Sequence, residues 1–142
     1  MNEEQPSNKL SDFSFENKAQ PVSFAETMKV TAGVECDVYK FDGDDSKDLG
    51  VIRIKPGFKT PLQKVLKGDR TIEGYVSGKG KLFVIRPDNT QKEYLVSKDT
   101  QKPFAVTVAI GETMQWQADK DSPLVAYEIC FPPYEDGRYE NL

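Results

Sequence analysis

The 142-residue sequence contains no histidine, and this absence excludes more than any other feature of its composition. Histidine is the commonest protein ligand of transition metals, and it is the side chain that most often acts as a general base near neutral pH. Catalysis by a histidine base is therefore excluded. Neither cysteine of the chain has an imidazole to activate it as a nucleophile.

Cysteine is also scarce, since Cys36 and Cys130 are the only two in the chain. They lie far apart in the sequence and form no CxxC pair, so too few ligands are present for a structural zinc site. We expect both to be reduced, buried thiols in strands, as is usual for a chain in a reducing compartment.

Basic charge and long apolar runs are missing as well. The net charge of −4 gives no basic surface for a phosphate backbone, so we expect no nucleic-acid partner. No apolar run approaches the ~20 residues that a membrane span needs, and we expect no membrane partner. Because the polar N-terminus lacks the apolar segment of a signal peptide, the predicted location is the cytoplasm.

Short β-rich runs separated by turn residues fill the chain from residue 34 onward. Two of them, 71–76 and 81–86, are joined by SGKG, whose glycines favour a tight hairpin. Further strands are predicted over 34–41, 51–57, 91–97, 104–110, 112–118 and 123–131. Turn signals recur about every 8–12 residues without a helical period, which predicts an all-β sandwich or barrel.

The length of the chain predicts one domain with its own core. Residues 1–24 are polar apart from isolated aromatic residues such as Phe13 and Phe15, and they are predicted to form a flexible arm or an arm that packs on a partner subunit. Residues 25–142 are predicted to form a single β-barrel domain with a C-terminal tail.

Three stretches carry a resemblance to a known family. IRIKPG (52–57), followed by a polar segment and EGYVSGKGKL (73–82), is similar to a motif that contains a glycine, a His-x-His pair, a glutamate and a closing glycine. VAIGETMQW (108–116) is similar to the opening of a second motif, and PLVAYEICFPPYEDGRYENL (123–142) to a last barrel strand and tail. Over residues 33–134 the chain resembles the cupin superfamily, which implies a double-stranded β-helix, or jelly-roll, barrel that holds a ligand inside.

The chain departs from that family where metal ligands are expected. In the cupin motif the histidine pair falls at Gln63 and Val65, and the histidine of the second motif falls near Met114 or Gln115. The motif's glutamate matches Glu73, or Thr71 in an alternative register. Because a transition-metal site in this superfamily needs imidazoles, the resemblance implies no metal and no cofactor here.

Alternation within the predicted strand 71–76 puts Thr71, Glu73 and Tyr75 on one face. The resemblance places that face in the barrel mouth, and the predicted ligand-binding residues are Gln63, Thr71, Glu73, Tyr75, Gln115 and Trp116. Each has a plainer explanation, because a single tryptophan is usually a packing residue and glutamines are usually solvated.

We therefore predict a metal-independent cupin-like protein that binds a small polar metabolite, sugar-like or carboxylate, in the barrel mouth. One alternative is a metal-free acid–base isomerase or epimerase of a sugar derivative, with Glu73 and Tyr75 as weak catalytic candidates. A second is an interaction module whose barrel is filled by Trp116 and Met114. Whether the protein is an enzyme stays open at this point.

The C-terminal tail carries Tyr134, Arg138 and Tyr139 in a short polar segment after two prolines. Tyrosine and arginine are favoured at protein interfaces. Small cupins commonly dimerise, and the predicted assembly is a homodimer.

Overall fold

The computed structural model describes residues 9–15, 17–134 and 139–142. Its strands are β1 (Asp12–Phe15), β2 (Lys18–Thr31), β3 (Val34–Phe41), β4 (Asp48–Ile54), β5 (Gln63–Val65), β6 (Arg70–Gly78), β7 (Gly80–Ile85), β8 (Gln91–Val96), β9 (Ala105–Ala109), β10 (Thr113–Ala118), β11 (Leu124–Phe131) and β12 (Tyr139–Asn141). Within these residues no helix is long and apolar enough to cross a lipid bilayer. Arg138, predicted at an interface, lies outside the described residues, as do residues 1–8 of the predicted arm.

The strands form two antiparallel sheets that face each other. The large sheet has the order β1-β2-β3-β4-β11-β6-β9, and the small sheet has the order β12-β5-β10-β7-β8. The predicted all-β jelly-roll barrel is confirmed by this arrangement. The predicted hairpin between 71–76 and 81–86 is wrong, because β6 pairs with β11 and β9 whereas β7 pairs with β10 and β8. Gly78, at a φ of 91°, turns the chain from one sheet into the other.

The main core lies between the sheets, where side chains of alternate residues meet. It includes Ile54, Tyr75, Leu82, Met114, Trp116 and Leu124. These side chains pack against one another at one end of the barrel. Trp116 is the largest of the fully buried side chains, at 2% exposure.

A second apolar cluster lies on the opposite, outer face of the large sheet. Tyr39, Leu49, Tyr127 and Ile129 form its base, and Phe15 packs on it. The ring of Phe13 also meets Tyr127 edge to face, with 4.9 Å between the ring centroids. The N-terminal hairpin of β1 and β2 therefore covers this outer face.

A glycine makes room for the centre of that cluster. A Cβ atom added at Gly74 would lie 2.0 Å from a ring carbon of Tyr127. Tyr127 and Gly74 are direct cross-strand partners in the β11–β6 pair, and the ring of Tyr127 occupies the space that a side chain at position 74 would need.

The structure differs from the predicted arm over residues 1–24. Described residues of that range form β1 and the first half of β2, and β1 pairs with β2 over Lys18–Pro21. The local sequence is polar, and the apolar partners of Phe13 and Phe15 come from β11, more than a hundred residues along the chain. Only tertiary packing reveals why these isolated aromatic residues form strands.

This packing predicts that truncating Phe15 destabilises the protein. Phe15 is 8% exposed, and Phe15→Ala is expected to lower the free energy of unfolding by about 3 kcal/mol, because it removes a large apolar side chain from the cluster. Urea denaturation measures this change. Leu95→Ala is the control, since Leu95 is 76% exposed, and it should change stability little. Equal, small effects of both variants would contradict the packed hairpin.

Candidate ligand-binding site

Two glutamates face the barrel interior from neighbouring strands. In the β11–β6 pair, Glu128 lies directly opposite Glu73, and Cys130 lies opposite Thr71. Directly opposed residues of an antiparallel pair point to the same side of the sheet. In the adjoining pair Ala126 faces Ile52 of the inner core, and Glu128 is two residues further along the same face. Both carboxylates are therefore directed between the sheets.

Glu73 is bound by the small sheet. Its side chain is fully buried, and its Oε1 accepts a hydrogen bond of 2.7 Å from the indole Nε1 of Trp116. The backbone N–H of Trp116 donates in turn to Oγ1 of Thr60 at 3.0 Å. Because a buried carboxylate is costly without donors, the indole is a structural partner of Glu73 as well as a core residue.

Glu128 is bound from the chain's last strand. Its Oε1 accepts hydrogen bonds from the hydroxyl of Tyr139 and, at 3.2 Å, from the thiol of Cys130. Tyr139 stacks on Tyr134 with 5.9 Å between ring centroids. The short strand β12 therefore closes over the interior and brings a phenol to Glu128.

Burial and the negative charge of these carboxylates raise the pKa values of neighbouring groups. Burial raises the pKa of the Cys36 thiol to about 12, and the Glu128 carboxylate contributes to the rise. Burial, followed by the charge of Glu128, also raises the pKa of Tyr139. Both groups therefore stay protonated at neutral pH, and Tyr139 remains a hydrogen-bond donor to Glu128.

A cavity of about 540 Å³ opens beside Glu128. Its inner wall combines polar and apolar groups: Cys36, Ile52, Thr60, Gln63, Cys130 and Tyr139. Toward solvent it is bordered by exposed residues of β2, such as Met28, and by the charged segment that includes Lys47. The barrel thus has a filled end and an open end.

Among the predicted ligand-binding residues, the structure places Gln63 in this cavity. Gln63 lies on β5, and its Nε2 donates to Oδ1 of Asn141 on β12 at 3.1 Å. Val65, two residues later, is fully buried in the inner core. The two positions that match the cupin histidine pair therefore both point inward.

The other predicted residues lie elsewhere. Thr71 and Glu73 are fully buried behind the cavity wall. The hydroxyl of Tyr75 donates to the carbonyl of Gly78 at 2.7 Å, at the filled end of the barrel. Glu73 and Tyr75 share a face but each is engaged by a different partner, so the structure does not bring them together as an acid–base pair.

Gln115 and Trp116 point to opposite sides of β10. Trp116 belongs to the inner core, whereas the amide of Gln115 donates to the carbonyl of Thr60 at 2.9 Å and accepts from Gln117 at 2.8 Å. Neither residue lines the cavity. The hydrogen bond from Gln115 connects the segment around Thr60 to the small sheet.

Comparisons with known proteins add evidence on the fold. No family model and no curated protein sequence matches this chain. Three solved structures similar to it are the capsular polysaccharide assembling protein CapF from Staphylococcus aureus, a mutant of oxalate decarboxylase OxdC from Bacillus subtilis, and Rru_A2000 from Rhodospirillum rubrum, a cupin-2 domain. Their TM-scores are 0.62, 0.66 and 0.62, their identities 19%, 18% and 16%, and they cover 86%, 83% and 85% of this chain.

The chain has a cupin fold. The resemblance inferred from the sequence is thereby confirmed at the level of the fold. The matched region spans 34% of CapF and 30% of the oxalate decarboxylase, but 75% of the Rhodospirillum rubrum protein. At these identities the likeness shows the fold alone.

The donors in this cupin barrel do not fit the transition metal that the fold family implies. The described residues contain no group of three or more histidine, cysteine, aspartate or glutamate side chains placed to hold a metal ion. Inside the barrel, Glu73 accepts a hydrogen bond from the indole of Trp116, and Glu128 accepts from Tyr139 and Cys130. The two inward positions of β5 carry the amide of Gln63 and the isopropyl group of Val65. Transition metals favour imidazole and thiolate donors, but the chain has no histidine, and the raised pKa of Cys36 keeps that thiol protonated.

The sequence analysis missed Glu128, Cys36, Cys130 and Tyr139 as site residues. A signal existed for two of them, because alternation in 123–131 puts Glu128 and Cys130 on one face of an otherwise apolar strand. A charged residue in such a strand is seldom buried without a role. For Tyr139 no local signal exists, since its position depends on the return of the tail to β5.

The bond between Trp116 and Glu73 predicts energetic coupling. Trp116→Phe removes the donor from a buried carboxylate, and Glu73→Leu removes the acceptor from a buried indole, so each costs a desolvation penalty that the double variant avoids in part. A double-mutant cycle from urea denaturation should give a coupling free energy of about 1–3 kcal/mol. Trp116→Phe combined with Glu93→Leu on exposed β8 should be additive. Additivity of the Trp116 and Glu73 changes would show that the bond does not organise the interior.

Proposed function

We propose that this cupin-like protein binds a small polar metabolite, sugar-like or carboxylate, in its barrel cavity, without a metal and without chemistry of its own. The cavity at the open end of the barrel carries this proposal. Its volume of about 540 Å³ falls in the range of about 300–1,000 Å³ that is usual for small-molecule sites.

The chemistry of the cavity wall supports a polar ligand. Ile52, Val38 and Met28 offer apolar surface, while Gln63 and Tyr139 offer groups that form hydrogen bonds. The amide of Gln63 is both a donor and an acceptor, and the hydroxyl of Tyr139 donates to Glu128 at the cavity wall. In small-molecule sites, a small number of polar groups on a mostly apolar wall fixes the orientation of the ligand.

The two alternatives have weaker support. Acid–base catalysis by Glu73 and Tyr75 would need both groups at the ligand, but neither lines the cavity, and Tyr75 is hydrogen-bonded at the filled end. An interaction module would need a barrel that is filled throughout. Trp116 and Met114 fill only one end, whereas the other end is open. Ligand binding without catalysis agrees with a barrel that is packed at one end and open at the other.

A homodimer and a cytoplasmic location also belong to the proposal. The dimer has support in β2, whose outer edge pairs with β1 only over Lys18–Pro21 among the described residues. Beyond that point β2 exposes Phe24, Met28 and Val30. An edge strand with exposed apolar side chains is suited to pair with another chain.

Filling the cavity tests the proposal. Val38 lines the cavity opposite Gly50, so Val38→Phe should place a ring in the ligand volume. After incubation with a small-molecule cell extract, native mass spectrometry of the untagged protein should show a retained small molecule, and Val38→Phe should lower its occupancy by about tenfold or more.

Leu95→Phe, on the exposed strand β8, adds the same bulk outside the cavity and should leave retention unchanged. Urea denaturation confirms that each variant is folded. A wild-type protein that retains no molecule, or retention that Val38→Phe does not change, would overturn binding in the cavity.

A further inference from the structure

We infer that the ligand of the barrel cavity carries a protonated primary amine, which Glu128 binds through Oε2. This inference rests on the proposed ligand-binding function and specifies the chemical class of the ligand. It excludes the carboxylate class and selects cationic members of the sugar-like class or other small polar amines.

The geometry of Glu128 is the first support. Glu128 is half-buried and lines the cavity, and both of its hydrogen bonds, from Tyr139 and Cys130, go to Oε1. A carboxylate offers about four acceptor positions over its two oxygens. Oε2 receives no hydrogen bond from the residues that the structure describes, so a donor on the ligand has an oxygen available at the wall.

The balance of charge around Glu128 is the second support. Its neighbours on the inner wall, Cys36, Cys130, Gln63 and Tyr139, are neutral, and within residues 9–15, 17–134 and 139–142 Glu128 forms no salt bridge. A carboxylate held away from bulk water is costly unless a cation compensates it. An ammonium group on the ligand would supply that charge.

The lysines that border the cavity do not take this role. Lys47 pairs with Asp44, and its Nζ lies 4.6 Å from the ring centroid of Phe41. Lys29 and Lys40 are exposed residues of β2 and β3. Solvent screens exposed charges strongly, so they compensate a carboxylate on the inner wall poorly.

The second glutamate adds to the negative potential. Glu73 lies directly across from Glu128 on the same face, one strand away. The raised pKa values of Cys36 and Tyr139 agree with this, since after burial the charge of Glu128 is the largest contribution to each. A ligand carboxylate would enter against two like charges, whereas an ammonium group would be attracted by both.

The apolar wall suits the rest of such a ligand. Ile52 and Val38 lie on the same inward face as Glu128, and Met28 borders the opening. A carbon skeleton can rest on these side chains while Gln63 meets its hydroxyl groups. The inner wall thus combines the carboxylate of Glu128 with apolar and neutral polar groups, which is the arrangement expected for a small polar amine.

Matched probes test the inference. The probes form two series, and each series offers an amine, a hydroxyl and a carboxylate on the same kind of ring. The sugar series is glucosamine, glucose and glucuronate. The apolar series is cyclohexylmethylamine, cyclohexanemethanol and cyclohexanecarboxylate. Ligand-observed NMR titration of the full chain gives a Kd for each. On at least one skeleton the amine should bind about tenfold or more tightly than its hydroxyl partner, because a charge-assisted hydrogen bond is worth that much, and the carboxylate should bind worst.

Three variants locate the effect. Glu128→Gln should abolish the preference for the amine, whereas Glu93→Gln, the same change of charge on exposed β8, should leave it intact. Tyr139→Phe keeps the carboxylate and frees Oε1, so it should retain or strengthen amine binding. This third variant keeps the test decisive if Glu128→Gln fails to fold.

The outcomes separate the two proposals. Hydroxyl or carboxylate probes that bind as well as the amines, and that Val38→Phe expels, would overturn the amine inference and leave metabolite binding intact. An amine preference that survives Glu128→Gln, or that Tyr139→Phe abolishes, would also overturn the inference. If no probe of either skeleton binds, the amine inference fails, and retention from the cell extract decides metabolite binding by itself.

Discussion

The placement of two glutamate carboxylates between the sheets of the β-barrel, one fully buried and one half-buried, is the constraint on which the rest of this structure depends. Glu73 and Glu128 face each other on neighbouring strands, and each needs hydrogen-bond donors because a buried charge costs several kcal/mol when it is left alone. Two donors come from other strands, Trp116 on β10 and Tyr139 on β12, and the third is Cys130, two residues from Glu128 on β11. Satisfying the glutamates therefore joins the small sheet and the C-terminal strand to the large sheet.

The same constraint divides the barrel interior into two parts. Around Trp116 the carboxylate of Glu73 is enclosed by apolar side chains, and this end is packed. Around Glu128 the apolar core ends, and a cavity takes its place whose inner wall carries the Glu128 carboxylate, two thiols, the amide of Gln63 and the phenol of Tyr139. The cupin fold supplies the frame in both parts, but the positions matched to its histidines, Gln63 and Val65, belong one to each part. A site for an organic ligand fits this interior better than a metal site.

Much of the frame could be predicted from local sequence, because strand formation and alternation are local properties. The face shared by Thr71, Glu73 and Tyr75 is one example, and the inward direction of the two cupin positions on β5 is another. Alternation does not show which neighbour engages a side chain, so the separate partners of Glu73 and Tyr75 were not visible in the sequence. Non-local pairing also hid the packed N-terminal hairpin, whose Phe13 contacts Tyr127.

We propose that the interior of this cupin barrel serves an organic ligand at a carboxylate site and does not hold a transition metal. Elemental analysis of protein purified without a histidine tag tests it most directly. The account predicts iron, manganese, nickel and zinc far below one ion per chain, even after the protein is incubated with each metal and desalted. One tightly held ion of any of them per chain would contradict the account and would assign the interior glutamates to a metal.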